Sequence, residues 1–174
     1  MTAGQADQVL RAEQVWRAEQ VWRVLDGVMD PEVPVISVVD LGIVRDVCED
    51  CDPPEVVITP TYSGCPATLQ IENDIRAALD AAGFEAFKLE TRLAPAWTSD
   101  WISDKGRAAL KDFGIAPPVG KVSKRELFGA EKTVPCPHCN SVKTSVISEF
   151  GSTACKALWK CHGCGEPFDY FKCI

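Results

Sequence analysis

Long apolar runs are missing from this sequence. The longest, Val33 to Val39, is interrupted by Pro34 and Ser37 and falls far short of the roughly 20 residues that a membrane-spanning helix requires. The opening segment MTAGQADQVLRAEQVW has neither a basic start nor an apolar stretch behind it. No secretory signal is therefore expected, and the chain is expected in the cytoplasm. A reducing compartment in turn argues against a disulfide framework. Basic charge is in deficit as well: 18 Lys and Arg stand against 25 Asp and Glu, a formal net charge of −7, which argues against a nucleic-acid footprint. Paired Glu-x-x-His motifs of a carboxylate-bridged diiron bundle and a Gly-rich dinucleotide turn are both absent, so oxygenation by this chain itself is not expected.

What the sequence does have is cysteine. Nine occur in 174 residues, and six of them (Cys136, Cys139, Cys155, Cys161, Cys164 and Cys173) follow residue 132, with only Cys48, Cys51 and Cys65 before it. The length allows one modest domain and a small one. From Ala18, the residues Val21, Trp22, Leu25, Val28 and Met29 recur at helical spacing up to Pro31. The hexapeptide RAEQVW occurs twice, at Arg11 to Trp16 and Arg17 to Trp22. Six residues turn a helix through about 600°, so the copies lie about 120° apart and cannot form one stripe. Trp22 is expected in the core and Trp16 is left for a surface, one through which a homodimer could form.

Leu41 to Val47 and Val56 to Pro60 read as a β-hairpin. A helical stripe of Ile71, Ile75, Leu79 and Ala82 then stops at Gly83, with Cys65 expected at its N-cap because Pro66 suits a first helical turn. A strand over Phe84 to Leu93 and a helix over Ser103 to Phe113 complete an α-β-β-α-β-α order, hence an α+β domain over residues 14–116. Residues 117–132 read as a linker. Residues 133–174 form a small all-β unit, with strands over Lys143 to Phe150, Ala154 to Cys161 and Phe168 to Ile174. So small a unit needs a staple to fold.

CPHC at Cys136 to Cys139 and CHGC at Cys161 to Cys164 supply that staple: two CxxC knuckles with 21 residues between them make a four-thiolate site of the zinc-ribbon kind. Asn140 and Gly165 follow the knuckles, where a left-handed residue is expected. His138 and His162 are surplus to four thiolates. Cys155 and Cys173 are either small buried hydrophobes or further cofactor ligands, and thiolates also hold iron–sulfur clusters, so zinc and iron both remain open. Cys48 and Cys51 sit among Glu49, Asp50, Asp52 and Glu55, whose charge disfavours thiolates, and they are read as loop. Cys65 is a candidate reactive thiol, near the hydroxyls of Thr61 and Ser63 and with Asp30 and Glu32 as possible carboxylate companions. Packing alone would account for each equally well.

The segments DPEVPVISVVDLGIV, TPTYSGCPA, APAWTSDWIS and FGIAPP resemble the small domain of the SufT and cytosolic iron–sulfur targeting families. The tail CPHC, FGSTACKALWKC, CHGC and EPFDYFKCI resembles the PaaD family, whose members belong to phenylacetyl-CoA 1,2-epoxidase systems. Coverage runs from about Trp16 to Ile174. The resemblance implies an iron–sulfur-assembly-like domain followed by a zinc ribbon, acting in aerobic phenylacetate catabolism. It implies working roles for Asp30, Glu32 and Cys65, and places Cys155 and Cys173 in the family's tail pattern. The expected function is accessory: assisting assembly of iron or iron–sulfur centres in the oxygenase or reductase components, with structural zinc and a cluster held transiently or at the C-terminal thiols. The alternatives are a zinc-ribbon interaction or nucleic-acid-binding module, and a thiol oxidoreductase using the CxxC pairs. Past residue 132 the charge is 4 − 3 = +1, a poor basis for phosphate binding.

Overall fold

The structure, a computed structural model, describes residues 18–48, 51, 53–84, 87–119 and 133–172. It consists of two compact units, Met1–Pro95 and Ala96–Ile174. Trp16 and Cys173 lie outside the described residues, as does most of the expected linker.

In the first unit, helix α1 is described over residues 18–26 and buries Ala18, Val21 and Leu25. It ends before the expected Pro31 because Gly27 and Val28 donate to the carbonyls of Val24 and Leu25, tightening the last turn. Val28 remains buried, whereas Trp22 is only half-buried and Met29 is exposed, so the α1 face of the core is narrower than the sequence pattern predicts. The chain then doubles back, Asp30 donating to Ile36 and Val38 to Val28. That return buries Val33, Ile36, Val38, Leu41 and Ile43.

Strand β1 (Val44–Cys48) pairs antiparallel with β2 (Glu55–Ile58), which pairs in parallel with β3 (Lys88–Thr91). Leu41 and Gly42 belong to the preceding turn, with Gly42 at φ 74°, so β1 starts later than its apolar pattern suggests. Val56, Val57 and Ile58 are all buried, as befits a central strand covered on both faces. The crossover to β3 runs through helix α2 (Thr68–Ala81), which buries Ile71, Ile75 and Leu79. Each such side chain removed from water contributes about 1.5–3 kcal/mol. Helix α2 closes in a Schellman motif, Gly83 at φ 87° donating to Asp80 and Phe84 donating to Leu79.

The second unit begins earlier than the expected boundary at residue 116. The Trp97 ring packs at a tilt against Phe171, their centroids 6.2 Å apart, and helix α3 (Asp104–Asp112) leads into β4 (Ile115–Ala116), which pairs in parallel with β7 (Pro167–Phe171). Ser103 caps α3 by accepting from the Gly106 amide at 2.9 Å, with Asp104 in the first turn and Lys111 in the last. Strands β5 (Thr144–Ser148), β6 (Lys156–Cys161) and β7 form an antiparallel meander, giving the sheet order β4-β7-β6-β5. Val134, Cys136, Ala157, Trp159, Cys161, Phe168 and Tyr170 make its core.

Candidate metal centre

Both knuckles fold by one device. After Cys139 the chain enters the left-handed region at Asn140 (φ 58°), and the Asn140 amide donates to the Cys136 carbonyl at 2.9 Å. After Cys164, Gly165 (φ 84°) donates to the Cys161 carbonyl at 3.0 Å. In return, the Cys136 amide donates to Ser141 and the Cys161 amide to Glu166. Residues that tolerate positive φ are needed at both corners, and the sequence supplies one Asn and one Gly there.

The four sulfurs converge to within 4.8 Å of one another, with Cys139 to Cys161 at 3.5 Å and Cys136 to Cys164 at 3.8 Å. A tetrahedral ion with metal–sulfur bonds of about 2.3 Å places its sulfurs about 3.8 Å apart. The spacing therefore fits one four-coordinate ion shared by all four cysteines. A multi-iron cluster, with its cysteines on different irons, spreads its ligand sulfurs wider. Cys136 and Cys161 are buried, and Cys139 and Cys164 face solvent.

Electrostatics point the same way. The Cys164 amide at 3.4 Å, with the Gly163 amide at 3.3 Å, lowers the Cys161 thiol to about 6. Although the Glu166 amide pulls Cys164 down, partial desolvation of its sulfur and the crowding by the Cys161, Cys139 and Cys136 sulfurs push it up to about 12. One thiolate is easily formed here and further ones repel it, so the full set calls for a cation.

The packing around the sulfurs was not foreseeable from the motif. A Cβ at Gly163 would lie 2.8 Å from Ser141 Oγ, so the glycine of CHGC lets one knuckle pack against the other. His162 Nε2 lies 2.8 Å from Ser145 Oγ, and the His138 ring packs on Gly114, so neither histidine joins the sulfurs. Cys155 is buried with Thr153 Oγ1 at 3.0 Å and stands apart from the four-cysteine group.

In the first unit, Cys65 is free and half-exposed but is not the N-cap. Its carbonyl accepts from Thr68, closing a separate turn, and α2 starts two residues later than expected, with Ala67 as its cap. Asp30 is buried, and its Oδ1 accepts from the amides of Glu32 and Val33 at 2.8 Å each, fixing the turn after α1. Thr61 is buried and Ser63 exposed. Cys48 and Cys51, read from the sequence as loop, are joined by a disulfide. The acidic surroundings argue against free thiolates, and a bonded pair carries none.

The chain is 48% identical over 150 residues, covering 86% of itself and 89% of the relative, to an Escherichia coli (strain K12) protein named as the putative D component of 1,2-phenylacetyl-CoA epoxidase. The chain belongs to the PaaD family. Residues 120–172 match the PaaD zinc beta ribbon domain, the part of the family that holds the four cysteines. Residues 18–84 match the iron–sulfur cluster assembly protein family, which gives the first unit its fold. Among solved structures, the family member is similar to a domain of unknown function from Bacillus anthracis (27% identity, TM-score 0.49, 53% of this chain and 90% of that one). It is also similar to a Mycobacterium tuberculosis protein described as associated with Fe–S complex assembly and repair (32% identity, TM-score 0.32, 59% and 88%). No helix among the described residues is long and apolar enough to cross a membrane.

Proposed function

We propose that this chain is a cytoplasmic accessory component of a phenylacetyl-CoA 1,2-epoxidase system in aerobic phenylacetate catabolism, assisting assembly of iron or iron–sulfur centres in the oxygenase or its reductase. One observation carries this reading: an iron–sulfur-assembly unit is joined, in a chain that belongs to the PaaD family, to a ribbon whose four sulfurs are spaced for a single ion. We assign zinc to Cys136, Cys139, Cys161 and Cys164. With four protein ligands the ion contributes folding energy and leaves no open position for chemistry. The metal-handling role then falls to the other unit, where Cys65 is a free, half-exposed thiol. Asp30 and Glu32 are its candidate carboxylate companions and Thr61 and Ser63 its candidate hydroxyl ones. Cys155 and Cys173 have no part in this assignment.

The test is to produce the oxygenase and reductase components with and without this chain and to measure their iron and their epoxidation rate. Components made without it are expected to be iron-poor and slow, and Cys65→Ser is expected to behave like its absence. Fully metallated, fully active components alongside Cys65→Ser would rule out the transfer role.

A second reading, docking without metal transfer, draws support from the ribbon. Strand β5 is a sheet edge, and Val146 and Ile147 on it, with Val142 and Phe150 beside it, are 45–70% exposed. Under that reading, Ile147→Asp with Phe150→Asp abolishes co-purification with the epoxidase components and Cys65→Ser changes nothing.

A further inference from the structure

Cys48 and Cys51 belong neither to the four-cysteine site nor to the transfer role proposed for Cys65. Strand β1 ends on Cys48, whose partner across the hairpin is Glu55. The Cα of Cys51 lies 5.6 Å from that of Cys48, within the span of a disulfide. The two sulfurs are bonded. Both residues are half-exposed at the loop end of the sheet, while the core of the unit is closed by Val44, Val47, Val56, Val57 and Ile58 on the strands themselves. The bond closes a ring only three residues apart in sequence, and so short a loop takes little freedom from the unfolded chain. A bond that stabilises little and is open to solvent is built for exchange more than for stapling.

We propose that Cys48 and Cys51 form a reversible dithiol–disulfide site that exchanges with small-molecule thiols and disulfides. In the oxidising direction, the thiolate of one cysteine attacks a sulfur of a small disulfide, forming a mixed disulfide and expelling one small thiolate. The second cysteine gives its proton to solvent, attacks the first cysteine's sulfur and expels the other small thiolate. The pair loses two electrons and two protons, and the small disulfide becomes two thiols. Reduction is the reverse, with small thiols as the electron source. The local charge acts on the rate: Glu49, Asp50, Asp52 and Glu55 are neighbours in sequence, and negative charge disfavours the attacking thiolate, so exchange quickens as pH rises.

The experiment uses the full chain with its metal, equilibrated anaerobically across ratios of reduced to oxidised glutathione, quenched with an alkylating agent and mapped by peptide mass spectrometry. The peptide holding Cys48 and Cys51 is expected to pass reversibly between a doubly alkylated and an internally bonded form while the metal content stays constant. Cys51→Ser is expected to trap one glutathione on Cys48. Thiols that stay alkylatable in a large excess of oxidised glutathione would overturn the proposal. So would a bond that opens only when the protein unfolds, or a Cys51→Ser variant that acquires no glutathione. If Cys51→Ser fails to fold, Cys48→Ser with the adduct sought on Cys51 gives the same decision.

Discussion

Replacing Cys161 by serine is the sharpest perturbation of the ribbon. Its sulfur is fully buried, lies 3.5 Å from that of Cys139 and accepts two backbone amides, so it is the ligand most firmly placed by the fold. Structural zinc in finger peptides is worth about 10–16 kcal/mol. Shared among four thiolates, one ligand accounts for about a quarter of this, so Cys161→Ser is expected to weaken metal binding by about two to three orders of magnitude. The ribbon buries only a small core and depends on that metal, so the loss should also appear as unfolding of the second unit. Competition against a chromophoric chelator reads the affinity, and near-ultraviolet circular dichroism from Trp159 and Tyr170, whose rings pack 5.8 Å apart, reads the fold. Cys155→Ser and Cys65→Ser serve as controls that keep the full metal content. A Cys161→Ser protein with unchanged chelator resistance would refute the four-cysteine assignment and move the fourth ligand to His162 or Cys155.

Trp159 Nε1 is buried with no hydrogen-bond partner, so phenylalanine forfeits no bond there. Trp159→Phe is expected to cost less than about 1.5 kcal/mol and Trp159→Ala about 3–5 kcal/mol in denaturant titrations; equal losses would contradict this. At Asn140, with φ 58°, a β-carbon in the left-handed region costs about 1–2 kcal/mol. Asn140→Gly should therefore match or exceed the wild type in thermal stability, and Asn140→Val should shed metal to a chelator faster than either. On the sheet edge, the Arg92 guanidinium 2.6 Å away, with Glu55 and Lys88, holds the Glu90 carboxyl well below the usual range. Its folded value lies below its unfolded one, so the stabilisation is present above pH about 4.3 and fades as pH falls further. The melting-temperature gap between wild type and Glu90→Gln should be small at pH 7, because the network is exposed, should begin to narrow as pH falls below about 4.3, and should shrink at high salt.

The elements carried by local pattern were legible in the sequence. The four-residue recurrence of Ile71, Ile75 and Leu79 located α2, and Asn140 and Gly165 behind paired cysteines located both knuckles. What depended on distant pairing was not legible. Ile115 and Ala116 look like the end of the first domain, yet they pair with Asp169 and Tyr170 more than fifty residues on. Cys65 looked like a cap because Pro66 suits a first helical turn, but a preceding turn closed by its own carbonyl delays the helix. The Cys48–Cys51 bond needed the β1–β2 register, which brings the loop ends together in a way that charge counting cannot show. The contact between Gly163 and Ser141 likewise joins two knuckles whose distance only the folded hairpin sets.

At the centre of the proposed function, this chain hands iron to the epoxidase components through its first unit while zinc stays in its ribbon. The most direct measurement is anaerobic transfer: the chain is loaded with isotopically labelled iron, mixed with an apo-component, and the label and the zinc are followed in both proteins. Label is expected to move to the component faster than from free ferrous iron, Cys65→Ser to slow it to the free-iron rate, and zinc to remain with this chain. Label that transfers no faster than free ferrous iron, or zinc that travels with it, would contradict the proposed role.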